Sequence, residues 1–191
     1  MSGTAGRIFA IVGPSGAGKD TLMRAVQAAR PEVVLAQRSI TRPLTEDSEA
    51  YASLSQTAFE AKQQRGGFAL SWQAHGLSYG IPSSVFDALH NGQTVFFNGS
   101  RAMLSEAARV FPDLHVLNVT ASNAVLAERL RARGRESEDE ITRRLKRARM
   151  PLPAGLRVTQ VVNSGPLADA VATVLAVLDQ AAPQANTGSA A

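Results

Sequence analysis

Short apolar runs alternate along the chain with longer segments of helical periodicity. The first run, Arg7–Val12, ends at a glycine-rich turn, and the segment Lys19–Ala29 behind it predicts a helix that Pro31 closes. Continuous apolar runs of this length are typical of strands buried on both faces. Further strands are predicted at Val33–Ala36, Phe68–Trp72, Thr94–Phe97, Leu114–Val119 and Val158–Val162.

Helices are predicted between most of these strands. Ser122 is suited to cap a helix that runs through Arg133, since a serine side chain can accept from the amides of the first turn. Ser137 and Glu140 have the spacing of a capping box for a second helix through Arg149. The other predicted helices are Thr57–Gln64, Ser83–His90, Ala102–Val110 and Leu167–Gln180.

Strands that alternate with helices favour an α/β fold in which a parallel sheet is covered on both faces. The 191 residues suffice for one domain of this kind, which we expect to span residues 1–181. The last residues, 182–191, are small and polar and are expected to be disordered.

The amino-acid composition excludes several kinds of functional site. The chain has no cysteine, which excludes disulfides, thiolate metal sites and cysteine nucleophiles, and fits a reducing cytoplasm. No apolar run approaches the roughly 20 residues of a membrane span, and the N-terminus lacks the pattern of a signal peptide. We therefore expect a cytoplasmic protein without a membrane partner, and the sequence leaves its oligomeric state open.

Positive charge is concentrated in one segment. Residues 129–149 contain nine Arg or Lys against four acids, although the whole chain carries a formal charge of only +4. Such a segment suggests contact with a polyanion, either nucleic acid or the phosphates of a small molecule. It lacks the interleaved aromatic side chains that stack on bases, so we expect no nucleic-acid partner.

A phosphate-binding loop follows the first strand. The glycines of the pattern G-x-x-x-x-G-K let successive amides point at phosphate oxygens, and the helix behind them adds its positive N-terminus. A strand before the loop and a helix after it are the context that this motif requires. The predicted ATP-binding residues are Gly13, Pro14, Ser15, Gly16, Ala17, Gly18, Lys19, Asp20 and Thr21.

Asp20 departs from the usual motif, in which a serine or threonine follows the lysine and ligates Mg²⁺. A carboxylate beside a triphosphate is repelled unless a cation lies between them, so we predict that Asp20 helps to hold Mg²⁺. The alternative is that Asp20 only stabilises the first turn of its helix. The strand Thr94–Phe97 ends in Asn98, where such enzymes often have a metal-associated aspartate, and Asp20 would compensate for that missing acid.

Three motifs together resemble the guanylate kinase family: the loop GPSGAGK, Tyr79-Gly80, and the basic run RLRARGRESEDEITRRLKRA. The resemblance covers about residues 7–180. It implies a P-loop kinase core, an inserted substrate-binding part at about residues 38–92 and a mobile lid at about residues 133–147.

The resemblance also implies roles for lid arginines. Arg133 and Arg144 match the lid arginines that close over the phosphates, and with Lys19 and Asp20 they are the predicted catalytic residues. Arg129 and Arg135 are possible further contacts. Arg131, Lys146 and Arg149 fit better as solvated residues with neighbouring acids, since charge runs on helices are usually solvated.

Two segments lack the acids with which guanylate kinases read guanine. The matching stretches, FALSW at 68–72 and FNGSR at 97–101, contain no carboxylate. Guanine would leave buried donors without acceptors, at a cost of about 1–3 kcal/mol each. Arg101 stands near the acceptor position instead, which favours an acceptor with more phosphate and no base.

The segments GPSGAGKD, RSITRP, NGSR and RGRE resemble one branch of the family, the ribose 1,5-bisphosphate phosphokinases of phosphonate degradation. That resemblance implies transfer from ATP to ribose 1,5-bisphosphate, which yields 5-phospho-α-D-ribose 1-diphosphate and ADP. Arg38, Arg42 and Tyr79 match the stretches that hold the acceptor phosphate, and Arg101 is a second predicted pole. Arg38 or Arg101 could instead pair with a surface acid such as Glu49.

Other interpretations remain open at this stage. A nucleoside monophosphate kinase would run the same class of reaction, and a non-catalytic interaction module could share the fold. The loop and lid residues favour catalysis over the module. No histidine is expected to act as a base, because the attacking group is an anionic phosphate that needs no deprotonation.

Overall fold

The computed structural model describes residues 6–43, 51–74, 76–134, 137–147 and 151–180. The strands are β1 Arg7–Val12, β2 Val33–Ala36, β3 Arg38–Ile40, β4 Tyr51–Ser53, β5 Phe68–Ala74, β6 Leu77–Pro82, β7 Thr94–Asn98, β8 His115–Thr120 and β9 Arg157–Val162. The helices are α1 Lys19–Ala29, α2 Gln56–Gln64, α3 Val85–His90, α4 Leu104–Val110, α5 Asn123–Arg133, α6 Glu138–Arg147 and α7 Leu167–Gln180, with a short 3-10 helix at Arg101–Met103.

Five strands form the central sheet in the order β2-β7-β1-β8-β9, and every neighbouring pair is parallel. This confirms the predicted parallel sheet. β1 lies in the middle, so the loop that follows it opens at the carboxyl edge of the sheet between β7 and β8. Ligands of open parallel sheets bind at that edge.

Both faces of the central sheet are buried, as predicted. Alternate residues of β1 point to opposite faces because the side-chain period of a strand is two. Ile8 and Val12 join a cluster with α3, α4 and the second sheet, whereas Phe9 and Ile11 join a cluster with α1 and α7. The apolar runs of the sequence therefore form the shared centre of two cores.

A second sheet of four strands, in the order β4-β3-β6-β5, was only partly anticipated. β3 and β4 are parallel, whereas β3–β6 and β5–β6 are antiparallel. The sequence analysis missed β4 and β6, because they mix apolar with polar or small residues and only some of them are buried, so neither contains an apolar run. Leu70 and Ile81 dock this sheet onto the core that contains α3 and α4.

The predicted helix caps are confirmed. The amide of Val125 donates to Ser122 Oγ at 3.3 Å. In the capping box, the Ser137 amide donates to Glu140 Oε2 at 2.8 Å and the Glu140 amide donates to Ser137 Oγ at 3.3 Å. The predicted extension of this helix to Arg149 and the expected tail at 182–191 lie outside the described residues.

In the described part of the chain, no helix has both the length and the apolar character needed to cross a membrane. The two sheets and their helices instead bury their apolar side chains against one another.

His115 is the one buried histidine among the described residues and lies on β8. Its Nε2 is 2.9 Å from Thr159 Oγ1, and its ring stacks on Phe9 with centroids 5.1 Å apart. Burial, assisted by the charge of Arg157, lowers the pKa of His115 from 6.5 to about 4. The structure thus places this side chain in the core; His75 lies outside the described residues.

The His115 pKa predicts a specific acid sensitivity. The unfolded state binds the proton at about pH 6.5 and the folded state only near pH 4, so stability is complete above pH 6.5 and is lost as the pH falls towards 4. His115→Gln retains a hydrogen-bonding group but no charge, and we expect it to lose less stability between pH 7 and pH 5. Urea unfolding at the two pH values measures this, and equal losses in both proteins would contradict the assignment.

Candidate phosphotransfer site

The phosphate loop lies between β1 and α1, and its glycines are required by close contacts. Gly13 has φ of 147°, and a Cβ on it would lie 2.1 Å from the carbonyl oxygen of Val119. Gly18 has φ of 82°, and a Cβ on it would lie 2.6 Å from Nδ2 of Asn163. Both conformations and both contacts exclude a larger residue. The loop therefore has the tight geometry expected from its sequence.

Two side chains from segments distant in sequence donate hydrogen bonds to carbonyl oxygens of the loop. Asn163 is buried, and its Nδ2 donates to the carbonyl oxygen of Ala17 at 2.8 Å. A guanidinium nitrogen of Arg129 donates to the carbonyl oxygen of Gly16 at 3.3 Å. Arg129 thus contacts the loop itself in this conformation. The role of Asn163 as a brace was not predicted, since only its position after the last strand marked it in the sequence.

Lys19 lies against the inside of the loop. Its Nζ donates to the carbonyl oxygens of Gly13 and Pro14, each at 3.0 Å. Burial lowers the pKa of Lys19 to about 8; the charge of Asp20 opposes this, while Arg38, Arg133 and Arg101 lower it further. A phosphate group would relieve the repulsion among these cations. The loop and its lysine therefore fit an anionic ligand.

Asp20 contacts a neighbouring strand rather than capping its own helix. The N-cap of α1 is Gly18, which has no side-chain cap bond, and Asp20 accepts a hydrogen bond from Nδ2 of Asn98 at 2.8 Å. Asn98 ends β7 and is 6% exposed. The sequence analysis proposed that Asp20 compensates for the acid that is missing at Asn98. The structure shows that the two side chains are in direct contact. Thr21 is exposed on the same turn.

Arg38 and Tyr79 meet on the second sheet. The Arg38 guanidinium carbon is 5.9 Å from the centroid of the Tyr79 ring, whose other neighbour, Trp72, stacks on it at 5.3 Å with an interplanar angle of 8°. Burial lowers the pKa of Arg38, and the charge of Asp20 acts in the opposite sense. Arg42 is exposed and adds a like charge near Arg38.

A cavity of about 210 Å³ joins the second sheet to the start of α1. Two arginines line it, Arg24 of α1 and Arg38 of β3, together with Asp20, Asn98 and several apolar side chains. Arg24 was not predicted; its only signal is that it lies four residues after Asp20, on the same face of α1. The lining residues are Asp20, Met23, Arg24, Leu35, Ala36, Gln37, Arg38 and Asn98.

Arg101 lies on the side of β7 opposite to Arg38. It lies in the 3-10 helix after this strand and donates to Oδ1 of Asn118 at 3.4 Å. Burial lowers the pKa of Arg101. The structure therefore brings Arg101, Arg38 and Lys19 to one edge of the central sheet. Glu49, the suggested alternative partner of these arginines, lies outside the described residues.

The lid arginines lie on two helices. Arg133 is the last residue of α5 and is exposed. Its positive charge lowers the pKa of Lys19. Arg144 is half-buried on α6, and its charge acts on Glu140. Arg131 forms a two-bond ion pair with Glu138, at 2.6 and 2.7 Å, which agrees with its predicted solvated role. Arg135 and Arg149 lie outside the described residues.

Relatives of the chain include several enzymes of one name. The chain is 45% identical over 178 residues to a ribose 1,5-bisphosphate phosphokinase PhnN from Agrobacterium fabrum, covering 92% of this chain and 97% of the relative. It is 46% identical over 175 residues to the enzyme of the same name from Ruegeria sp., covering 91% and 92%.

Two further comparisons concern the fold. The family model described as an AAA domain matches residues 8–152. The crystal structure of a guanylate kinase from Anaplasma phagocytophilum superimposes with a TM-score of 0.67 at 14% identity, over 93% of this chain and 86% of that one. The guanylate kinase-like fold expected from the sequence is thereby confirmed. With a P-loop core and close relatives that share this name over nearly their whole length, the chain is a kinase that belongs to the ribose 1,5-bisphosphate phosphokinase family.

Proposed function

We propose that the protein transfers the γ-phosphoryl group of ATP to ribose 1,5-bisphosphate, which yields 5-phospho-α-D-ribose 1-diphosphate and ADP. The observation that carries the proposal is that Arg38 lines one cavity with Asp20 and Asn98 beside the phosphate loop, while the charges of Arg101 and Arg133 also act on Lys19. So many cations at one edge of a sheet require a ligand pair with many negative charges. ATP together with a sugar bisphosphate provides them.

The phosphate loop supplies the donor side of the site. Its amides and the N-terminus of α1 would hold the β and γ phosphates, while Lys19 would exchange the carbonyl oxygens of Gly13 and Pro14 for phosphate oxygens. We assign Asp20 to Mg²⁺, an ion that proteins usually hold by one or two carboxylates and the phosphates of the substrate. When bound, Mg²⁺ neutralises charge on the β and γ phosphates.

The second sheet supplies the acceptor side. We place one acceptor phosphate at Arg38, Arg42 and Tyr79, and the other at Arg101, so the two poles lie on opposite sides of β7. Guanidinium groups suit this role because they remain charged and grip phosphate oxygens bidentately. The stretches 68–72 and 97–101 contain no carboxylate, so they offer a base no anionic acceptor. The inserted substrate-binding part, residues 38–92, would act together with the lid, residues 133–147. Both would belong to a single domain of residues 1–181.

The reaction needs positioning and charge neutralisation but no base. An oxygen of the 1-phosphate attacks the γ phosphorus of ATP, and the bond from that phosphorus to the β–γ bridging oxygen breaks. The attacking oxygen is already anionic, so no proton is transferred. Lys19, Arg133 and Arg144 would stabilise the charge on the transferred group, while closure of the lid would exclude water.

Parallel turnover assays with two acceptors test the proposal. With Mg·ATP, we expect ADP release with ribose 1,5-bisphosphate and none above background with GMP, because the two stretches that would read guanine contain no carboxylate. A coupled assay that detects ADP measures both. Turnover with GMP at a comparable kcat/KM would show that the acceptor pocket is assigned incorrectly.

Arg38→Lys separates acceptor binding from ATP binding. Lysine preserves the charge but loses the bidentate geometry, so we expect KM for ribose 1,5-bisphosphate to rise about tenfold or more, with KM for ATP nearly unchanged. Arg109→Lys is the matched control, since Arg109 is exposed on α4 and pairs with Glu106. If KM for ATP rises as much as KM for the acceptor, Arg38 does not belong to the acceptor side.

Arg133→Ala tests the lid. A side chain that meets phosphate only after closure contributes chiefly to the transition state, so kcat should fall by roughly 100-fold while the Kd for ADP changes little. Steady-state kinetics and calorimetric titration with ADP give the two quantities, and Arg109→Ala controls for loss of a surface charge. A kcat within twofold of the parent would remove Arg133 from the catalytic set.

A further inference from the structure

Asn98 has one half of its amide satisfied and the other half buried without a partner. Its Nδ2 donates to Asp20 Oδ1 at 2.8 Å. Its Oδ1 is buried and accepts no hydrogen bond from any residue in the described part of the chain. A buried acceptor without a donor is unfavourable, so such an atom indicates a ligand or water that belongs there.

The orientation of this amide follows from its neighbour. An ionised carboxylate only accepts hydrogen bonds, so the nitrogen of the Asn98 amide must face Asp20. The oxygen is therefore left for a donor on another side. Asp20 and Asn98 both line the cavity at the start of α1.

Positions 20 and 98 are the two places at which P-loop enzymes hold Mg²⁺. The residue after the loop lysine is usually a serine or threonine, and the acid is a separate aspartate. Here the carboxylate follows Lys19, while the neutral side chain ends β7, beside Ile11 of β1. The acid and its neutral partner have exchanged places, and the 2.8 Å hydrogen bond links the exchanged pair.

We propose that Asn98 is a positioning residue for the cation. Its amide nitrogen orients the Asp20 carboxylate that would hold the cation, and its amide oxygen would accept a hydrogen bond from water in the loaded site. A second acid at position 98 would stand within hydrogen-bonding distance of Asp20 and repel it, which explains the neutral side chain. The proposal rests on the proposed function only in requiring magnesium nucleotide in the phosphate loop; it does not depend on the acceptor.

Nucleotide binding at a series of Mg²⁺ concentrations tests this proposal without turnover. Calorimetric titration with ADP gives the Mg²⁺ concentration at which half of the magnesium-dependent gain in affinity is reached. In Asn98→Ala we expect this concentration to rise roughly tenfold, the usual effect of losing a partner that orients a metal ligand. The Kd for ADP without Mg²⁺ should stay within twofold of the parent. Equal weakening with and without Mg²⁺ would mean that Asn98 is merely structural and would overturn the proposal.

A stricter test than Asn98→Ala moves the carboxylate from position 20 to position 98, at the end of β7. Asp20→Ser alone should raise the required Mg²⁺ concentration by more than Asn98→Ala does, because the carboxylate is lost. The double variant D20S/N98D restores a hydroxyl and an aspartate in the usual order, and we expect it to recover most of the magnesium dependence. The matched control D20S/N118D adds the same acid to β8, the strand on the other side of β1, and should recover none.

The outcomes separate this proposal from the proposed function. If D20S/N98D folds, as judged by thermal unfolding, and binds magnesium nucleotide no better than Asp20→Ser, the exchange of roles is wrong. Should the double variant not fold, Asn98→Ala decides by itself. A parent protein that shows the magnesium effects but no turnover of ribose 1,5-bisphosphate would overturn the acceptor assignment and leave the role of Asn98 intact.

Discussion

Repulsion among positive charges at the carboxyl edge of the parallel sheet is the constraint on which the site depends. Lys19, Arg38, Arg101 and Arg133 come from four different segments, and the last three each lower the pKa of the first. Only one described acid, Asp20, opposes them at Lys19. Lys19 begins α1, which packs on the central sheet through Leu22, Met23 and Val26, so its charge stays at this edge. Binding of phosphate is the way in which this arrangement gains free energy.

The second sheet determines where Arg38 lies relative to the phosphate loop. β3 and β6 carry Arg38 and Tyr79, and the pairing of these strands through Ile40 and Tyr79 keeps the two side chains in contact. Leu70 and Ile81 bury the back of the sheet against the central core. The part of the chain that we propose for the acceptor is therefore anchored to the core, as the loop is. In a phosphotransferase without a general base, such positioning supplies most of the catalysis.

The sequence predicted the central sheet and the loop well, for clear physical reasons. The strands β1, β7 and β8 are buried on both faces and appear as unbroken apolar runs, and GPSGAGK leaves little freedom in its backbone. β4 and β6 were missed because half-buried strands such as LSYGIP have no apolar run. Asn163 and Arg24 were missed because their roles depend on segments distant in sequence, and a single Asn or Arg has no signature of its own. The contact of Asn98 with Asp20 joins residues 78 positions apart and likewise needed the structure.

The hydrogen bonds of Lys19 to its own loop change how nucleotide recognition should be understood. An ammonium group held by two carbonyl oxygens is already out of bulk water and already aimed into the loop. A phosphate oxygen thus replaces protein acceptors rather than solvent, and little further ordering of the side chain is needed. The same two carbonyl oxygens become available to water or to a bound ligand once the lysine turns. Binding of a phosphate would thus exchange one set of Lys19 acceptors for another on the same loop backbone.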